Sequence, residues 1–209
     1  MPVMKIWVSI LLLFAIACNR PSTKKETKNI ASNESVESSE IKKDIPAKAD
    51  ATKWKADAAN SKINFSVKGP FGTVNGNLKG LKSTIIFDEK DLSSSFIEAS
   101  VDAGTIDTDN NLRDKDIKKE KFLNTQDHSL ISFRSDKIEK SGNSYKAIGK
   151  LNLKGTEKQV VIPFDFIPKE NGGLFKGSFA INRNDYNVGK EGGSVGKTIT
   201  INLEVPVTK

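Results

Sequence analysis

The sequence predicts an all-β domain, an antiparallel barrel of about eight strands with one short helical insert. From about residue 52 onward, short runs alternate apolar and polar residues, and turn-forming residues separate these runs. Such alternation is typical of antiparallel strands that bury one face. It is interrupted once, in residues 101–123, where a charged segment contains a few apolar residues.

Eight strands are sufficient to close a barrel whose interior is filled by side chains or holds one small ligand. A β-sandwich has the same local pattern, so the period of alternation alone does not decide between the two architectures. The long final strand and the phenylalanines that fall in phase on the inward faces favour the barrel. We keep the sandwich as the alternative.

The runs that precede the interruption are bounded by clear turn signals. In the first run, SKINFSVK, the residues Ile63, Phe65 and Val67 share one face, which indicates a half-buried strand. A Gly-Pro-Phe-Gly turn follows it, and Gly76 suggests that the next strand is bent or bulged. The predicted strands of this half are residues 61–68, 73–79, 84–88 and 96–103.

After the interruption the alternation resumes and continues to the end of the chain. Ile131 and Phe133 are in phase in the first of these runs, and glycine-containing turns join each run to the next. The last run alternates without a break from Ile199 to Val207. The predicted strands of this half are residues 130–138, 147–153, 159–166, 174–181 and 198–207.

Residues 101–123 are predicted to carry a strand into a capped helix that covers one end of the β-structure. Four consecutive residues at the start are good N-cap types: Asp107, Thr108, Asp109 and Asn110. Asp114 is placed early, where a helix favours negative charge, and lysines follow near the other end. We interpret Arg113 and Asp114 as capping and surface ion-pairing residues in preference to ligand-binding residues.

Residues 1–18 are predicted to be a lipoprotein signal peptide. Lys5 provides a short positive region, and an apolar run follows that is too short to span a bilayer comfortably. The segment before Cys18, the only cysteine of the chain, resembles a bacterial lipobox, although Ala15 replaces the usual leucine. The resemblance implies that Cys18 is acylated and anchors the protein to a membrane. The alternative is an incidental thiol in a signal peptide that is cleaved elsewhere.

Residues 19–50 are predicted to be a disordered tether. They are rich in Ser, Lys, Glu, Asn and Thr and contain almost no large apolar side chains, so they cannot offset the entropy of ordering. A random coil of this length would separate the folded domain, residues 51–209, from an anchor by roughly 30 Å.

The net charge of +7 comes from scattered basic residues. This scatter does not predict a nucleic-acid partner, which requires a clustered basic stripe.

No catalytic or metal-binding motif is predicted in the folded part. His128 is the only histidine, so a Cys/His metal site is excluded there, and a Ser-His-Asp triad would depend on this single turn residue. The segment GGSVGKT invites comparison with a phosphate-binding loop, but the first required glycine falls on Glu191 and a strand follows. We predict that this segment is a glycine-rich hairpin at the rim of the barrel. We also predict that the protein has no cofactor and is not an enzyme.

Several segments across residues 52–207 form one ordered set: SKINFSVK, GTVNG, IIFD, VDAGTIDT with LRDKDIKKEKFL, HSLISFRS, GKLNLKGTEKQV and INRNDYNVG. Together, and in this order, these segments resemble the YceI-like family. The resemblance implies a lipocalin-like, eight-stranded barrel that binds a polyisoprenoid chain, such as a polyprenyl or quinone tail. It also implies a bacterial cell envelope location, on the periplasmic side or at the cell surface.

The in-phase apolar residues are the candidates for the wall of the binding site, and ordinary core packing is the alternative for each. These candidates are Phe65, Phe87, Phe133, Leu151, Phe164, Phe179 and Ile181. The main alternative function is a solid-cored envelope domain that binds another protein or protects against stress without a lipid ligand. An enzyme acting on an amphiphile is a third hypothesis, which the missing nucleophile and base disfavour.

Overall fold

The alternating runs form long antiparallel strands in the computed structural model, which describes residues 52–209. The strands are β1 (Lys53–Ala56), β2 (Lys62–Gly69), β3 (Gly72–Ile86), β4 (Phe96–Asp107), β5 (Leu130–Ser141), β6 (Ser144–Leu153), β7 (Thr156–Lys169), β8 (Gly172–Asn182) and β9 (Thr198–Thr208). One α-helix, α1 (Asn111–Ile117), and 3-10 turns at Leu92–Ser94 and Arg183–Tyr186 complete the described part. The predicted signal peptide, its Cys18 and the tether lie outside the described residues.

Antiparallel pairing closes the sheet on itself. Each strand from β2 to β9 pairs with its neighbour in the chain, and β2 also pairs with β9, where Phe65 lies opposite Ile201. The short β1 extends the position of β2, because it pairs with the end of β3 at Ile85 and with the end of β9 at Val207. The prediction of an eight-stranded antiparallel, lipocalin-like barrel with a helical insert is confirmed, and the sandwich alternative is wrong.

Strand β3 differs from the prediction. Residues 73–79 and 84–88 were predicted as separate strands, but they form one strand that ends at Ile86. The pairing with β4 shifts register between Lys79 and Lys82. Gly80 lies there with a φ of 75°, a conformation that glycine adopts without steric cost. The glycine therefore marks a bulge that bends one long strand around the barrel.

A second bulge reverses the inward face of β5. The register between β5 and β6 shifts between Ser135 and Lys137, so Phe133 and Ile138 both point inward although their numbers differ in parity. Gly149 lies across from the bulge, and an ideal Cβ on it would be 2.1 Å from the carbonyl oxygen of Arg134. The bulge therefore depends on a residue without a side chain at position 149.

The two ends of the barrel differ. At one end, which we call the aromatic base, six rings pack together: Trp54, Phe87, Tyr145, Phe164, Phe166 and Phe175. The opposite end, which we call the mouth, is surrounded by the turn between β2 and β3, residues 107–123 with α1, and residues 187–197, the rim loop. The predicted helical cover at one end of the β-structure is therefore confirmed.

Candidate ligand-binding cavity

An elongated apolar cavity of about 690 Å³ lies inside the barrel. It extends from the rings of Phe164 and Phe175 at the aromatic base to the residues of the mouth. Inward-facing residues of β2 to β9 line it, because period-two alternation directs every second side chain to the interior. The volume is within the range of about 300–1,000 Å³ that ligand-binding pockets occupy. The interior of this barrel is therefore not filled by its own side chains.

Six of the seven residues predicted for the wall line this cavity: Phe65, Phe133, Leu151, Phe164, Phe179 and Ile181. The seventh, Phe87, is only 1% exposed and packs against four other rings of the aromatic base, so it lies beneath the cavity instead of along it. The residue follows the end of β3, where its backbone N–H bonds to the carbonyl oxygen of Thr52. Contact of these side chains with a ligand remains a prediction.

Further wall residues escaped the sequence analysis. Ala99, Ala147 and Val205 belong to predicted strands and line the cavity, but they were not among the residues predicted for its wall. Ile117, Phe122 and Val188 reach the mouth from outside the strands. Alternation cannot identify such residues, because their positions depend on how the helix and the rim loop fold over the barrel.

The aromatic base is fixed by polar bonds at its edge. The indole Nε1 of Trp54 donates a hydrogen bond of 2.9 Å to the carbonyl oxygen of Phe87. The hydroxyl of Tyr145 donates a hydrogen bond of 2.7 Å to Oε1 of Glu89. Burial, reinforced by this bond to Glu89, raises the pKa of Tyr145 to about 12. The phenol therefore stays neutral and the base presents an apolar floor to the cavity.

Arg183 organises the rim loop at the mouth. Its side chain donates hydrogen bonds to the carbonyl oxygens of Val188 at 2.6 Å, Val195 at 2.8 Å, Gly196 at 3.0 Å and Lys190 at 3.1 Å. Arg183 is only 3% exposed, so these carbonyl groups replace the water that would otherwise solvate its charge. This role of Arg183 has no signal in the sequence, because nothing in the local pattern links an arginine to a loop that follows it.

The entry to α1 is held by a network centred on Thr108. Asn110 caps the helix by accepting a hydrogen bond from the backbone N–H of Arg113, as its residue type predicts. The Arg113 guanidinium donates to the hydroxyl and carbonyl oxygens of Thr108, and Asp114 accepts from the Thr108 hydroxyl and backbone N–H. Arg113 and Asp114 therefore support the helix entry through Thr108.

The sequence motifs considered for reactive chemistry are a metal cluster, His128 and the GGSVGKT segment. Within residues 52–209, no group of three or more His, Cys, Asp or Glu side chains is placed to hold a metal ion. His128 lies in a turn beside Gly155. The GGSVGKT segment forms part of the rim loop and leads into β9, as predicted for a glycine-rich rim. No helix within the described range is long and apolar enough to cross a membrane.

A closed eight-stranded antiparallel barrel with an apolar interior cavity belongs to the lipocalin-like class of β-barrels, whose interior has room for one small ligand. The model of the YceI-like domain matches residues 54–207, and the chain belongs to this family. A UPF0312 protein of Pectobacterium atrosepticum is 25% identical over 160 residues, which cover 73% of this chain and 83% of that protein. A UPF0312 protein of Serratia proteamaculans is 29% identical over 109 residues, which cover 51% of this chain and only 57% of that protein.

Solved structures share the fold. BcnA of Burkholderia cenocepacia has a TM-score of 0.70 at 21% identity, and the match covers 74% of this chain and 100% of that one. A polyisoprenoid-binding domain from Saccharophagus degradans, implicated in plant cell wall breakdown, has a TM-score of 0.58 at 11% identity. That match covers 74% of this chain and 97% of the domain. These likenesses confirm the barrel architecture.

Proposed function

We propose that the barrel binds and carries one apolar chain of the isoprenoid class, without catalysing a reaction on it. The observation that carries this proposal is the elongated cavity of about 690 Å³, whose wall is almost entirely apolar. Apolar cavities do not hold water well, so such a space is stabilised by an apolar occupant. Because the cavity reaches from the aromatic base to the mouth, it suits a linear chain that enters end-on.

The size of the cavity sets the scale of the chain. In liquid water each molecule occupies a volume of about 30 Å³. The cavity of about 690 Å³ therefore has room for some twenty groups of that size, comparable to an apolar chain of about twenty carbons. A longer chain would leave its remainder at the mouth, because the aromatic base closes the other end.

Affinity for such a chain is easy to obtain. Each buried CH₂ contributes roughly 0.8 kcal/mol. For about twenty carbons this sums nominally to about 16 kcal/mol, close to the practical limit of about 18 to 21 kcal/mol for non-covalent binding. Selectivity therefore depends on the length and shape of the cavity, which the bulky rings at its base and the residues of its mouth determine.

The isoprenoid class is supported by family membership and by the neighbour from Saccharophagus degradans that is described as a polyisoprenoid-binding domain. The cavity itself supports an apolar chain in general. A solid-cored interaction or stress-protection domain is the competing function, and an unfilled interior of this volume argues against its solid core.

We further propose an address in the bacterial cell envelope, with Cys18 acylated and the barrel held near a membrane by residues 19–50. The support is the lipobox-like segment before Cys18 and the polar composition of the tether. Two or more acyl chains give stable anchoring, whereas a single chain holds only marginally. A Cys18→Ser variant should leave the membrane fraction, and an unchanged membrane fraction would contradict this address.

The ligand is tested by extracting protein purified from its native envelope with organic solvent and analysing the extract by mass spectrometry. We expect an isoprenoid chain that copurifies in a fixed ratio to the protein. A straight-chain lipid in that ratio would retain the binding function and overturn the isoprenoid class. An extract without lipid would favour the protein-interaction function.

A further inference from the structure

The most exposed apolar side chains of the described residues surround the mouth. Phe71 is 102% exposed and Leu112 is 78% exposed, the two highest values among the large apolar residues of this part of the chain. Leu130, at 48%, begins β5 at the same end. Single exposed apolar residues are common, but two almost fully exposed ones beside an apolar cavity indicate a contact surface.

Topology places Phe71 and Leu112 at the same end of the barrel. Phe71 lies in the tight turn where Gly69 of β2 pairs with Gly72 of β3. Strand β4 runs antiparallel to β3, so its final residue Asp107, which pairs with Asn77, lies toward that same turn. The chain then enters α1, which carries Leu112.

The backbone holds Phe71 in an outward position. Pro70 precedes Phe71, and its ring fixes its own backbone φ. Gly72 follows Phe71 with a φ of 128°, which residues with side chains rarely adopt. The hairpin also projects beyond the paired part of β4, because β3 residues before Asn77 have no β4 partner. Phe71 is therefore presented at a protruding tip and does not collapse onto the barrel.

We infer that the mouth of the barrel docks on a lipid bilayer, with Phe71 inserted among the acyl chains and Leu112 beside it. This inference rests on the proposed function of the cavity. Contact between the mouth and the bilayer lets an apolar chain pass between the cavity and the acyl chains without crossing water. Phe71, Pro70 and Gly72 line the outer part of the cavity. The cavity therefore reaches the surface at the place where the phenyl ring would enter the membrane.

The chemistry of the mouth fits a bilayer better than a protein partner. Stable protein interfaces bury about 800 Å² on each side around a packed core. The mouth instead offers separate protruding apolar residues around an opening. The hairpin carries Lys68 and no acidic residue, and the rim loop carries Lys190 and Lys197 against Glu191. Residues 107–123 carry five basic and five acidic residues, so the mouth as a whole has a small net positive charge, which is compatible with anionic headgroups.

The mouth contact is separate from any anchor at the N-terminus. The described chain begins in β1, which pairs with the ends of β3 and β9 at the aromatic base. The chain therefore enters the folded domain at the end of the barrel opposite the mouth. Changes at Phe71 or Leu112 leave an N-terminal anchor unchanged, so the two membrane contacts can be measured independently.

Tryptophan fluorescence with brominated lipids tests the docking directly. Full-length Phe71→Trp protein is mixed with vesicles of phosphatidylethanolamine and phosphatidylglycerol that contain brominated acyl chains, and quenching is compared with the parent chain. We expect additional quenching from the new indole. The matched control is Ile167→Trp, an exposed apolar position near the aromatic base, which should show none. Quenching at Phe71→Trp equal to the parent, or equal to the control, would overturn the inference.

A kinetic measurement separates docking from ligand binding. Leu112→Ser lies outside the cavity wall, so it should keep the amount of copurifying lipid while slowing lipid transfer to acceptor vesicles. Full burial of a large apolar side chain shifts partitioning roughly ten- to hundredfold, so we expect transfer to slow several-fold for this partly inserted residue. An unchanged transfer rate with unchanged lipid content would contradict docking and leave the binding function intact. Protein without any lipid would instead contradict the proposed function.

Discussion

The indole Nε1 of Trp54 and the carbonyl oxygen of Phe87 form a buried hydrogen bond of 2.9 Å that joins the first strand to the end of β3. Phe87 also packs against Tyr145, Phe164, Phe166 and Phe175 at ring-centroid distances of 5.0 to 5.6 Å. One polar bond therefore positions the central ring of the aromatic base, which forms the floor of the cavity.

Replacing Trp54 with Phe should weaken the base. The change removes the only indole donor to the Phe87 carbonyl oxygen and leaves that buried acceptor unpaired, at a cost of about 1–3 kcal/mol. The free energy of unfolding in urea measures this loss. Lys53→Ala on the exposed face of β1 is the control and should change stability by less than about 0.5 kcal/mol. Equal effects of the two variants would refute the assigned role of the bond.

The phenol of Tyr145 should make the free energy of unfolding depend on pH in the alkaline range. Its pKa is raised from 10.0 to about 12 in the folded protein, so folding favours the neutral phenol. The stabilisation is complete below pH 10 and is lost as the pH rises from 10 to 12. Urea unfolding across this interval, compared between the parent and Tyr145→Phe, isolates the contribution.

The comparison controls for the other groups that titrate in this range. Tyr186, whose pKa is raised by burial and then by the charge of Asp185, is present in both proteins. The alkaline loss of stability should therefore be smaller in Tyr145→Phe. Identical pH profiles would show that the phenol of Tyr145 is not held neutral by the fold.

Gly149→Ala should disrupt the bulge of β5. The new Cβ would lie 2.1 Å from the carbonyl oxygen of Arg134, which requires the two strands to separate, and we expect a loss of roughly 2–4 kcal/mol. Gly193→Ala is the matched control, because its Cβ would be 3.4 Å from the nearest atom, the carbonyl oxygen of Lys190. Thermal unfolding distinguishes them, and similar midpoints for both variants would contradict the close approach.

Arg183→Lys should loosen the rim loop. Lysine cannot donate simultaneously to the four carbonyl groups that the guanidinium bonds, so buried acceptors lose partners at a cost of roughly 2–4 kcal/mol. Hydrogen exchange should become faster in residues 187–197 before other regions. The control is Arg134→Lys, whose exposed pair with Glu98 should contribute about 1 kcal/mol or less. Unchanged exchange in the rim loop would exclude the organising role.

Phe133→Trp and Phe164→Trp should each reduce the lipid recovered from purified protein, because the larger ring occupies part of the cavity that both residues line. Phe164 also packs in the aromatic base, so its variant should lose about 1–3 kcal/mol of stability through overpacking. Val161→Trp on the exposed face of β7 is the control and should retain the lipid. Full recovery from both cavity variants would show that these side chains do not line the binding site.

Alternation predicted most of the barrel because it records which side chains face inward. Ile63, Phe65 and Val67 keep one phase along β2, and the same rule located six residues of the cavity wall. It failed where the backbone changes phase: Gly80 joins two predicted strands into one, and the shift after Ser135 restores Ile138 to the interior. Register shifts depend on partner strands, which a single strand does not reveal.

The mouth could not be predicted for a related reason. Arg183 donates hydrogen bonds to carbonyl groups that follow it in the rim loop. Phe71 is distinguished only by its full exposure at a turn. Neither feature has a periodic signal. The helix was predictable because its cap is local: Asn110 accepts the bond from Arg113 three residues later. Phe87 was placed on the wall by phase, yet the end of β3 carries it into the aromatic base.

The central claim, that the cavity holds one isoprenoid chain, is tested most directly by titrating folded, lipid-free protein with a polyprenyl chain of about twenty carbons and measuring bound chain per protein. We expect saturation at one chain per barrel, with weaker binding by Phe133→Trp and unchanged binding by Val161→Trp. Folded, lipid-free protein that shows no saturable binding would contradict the claim.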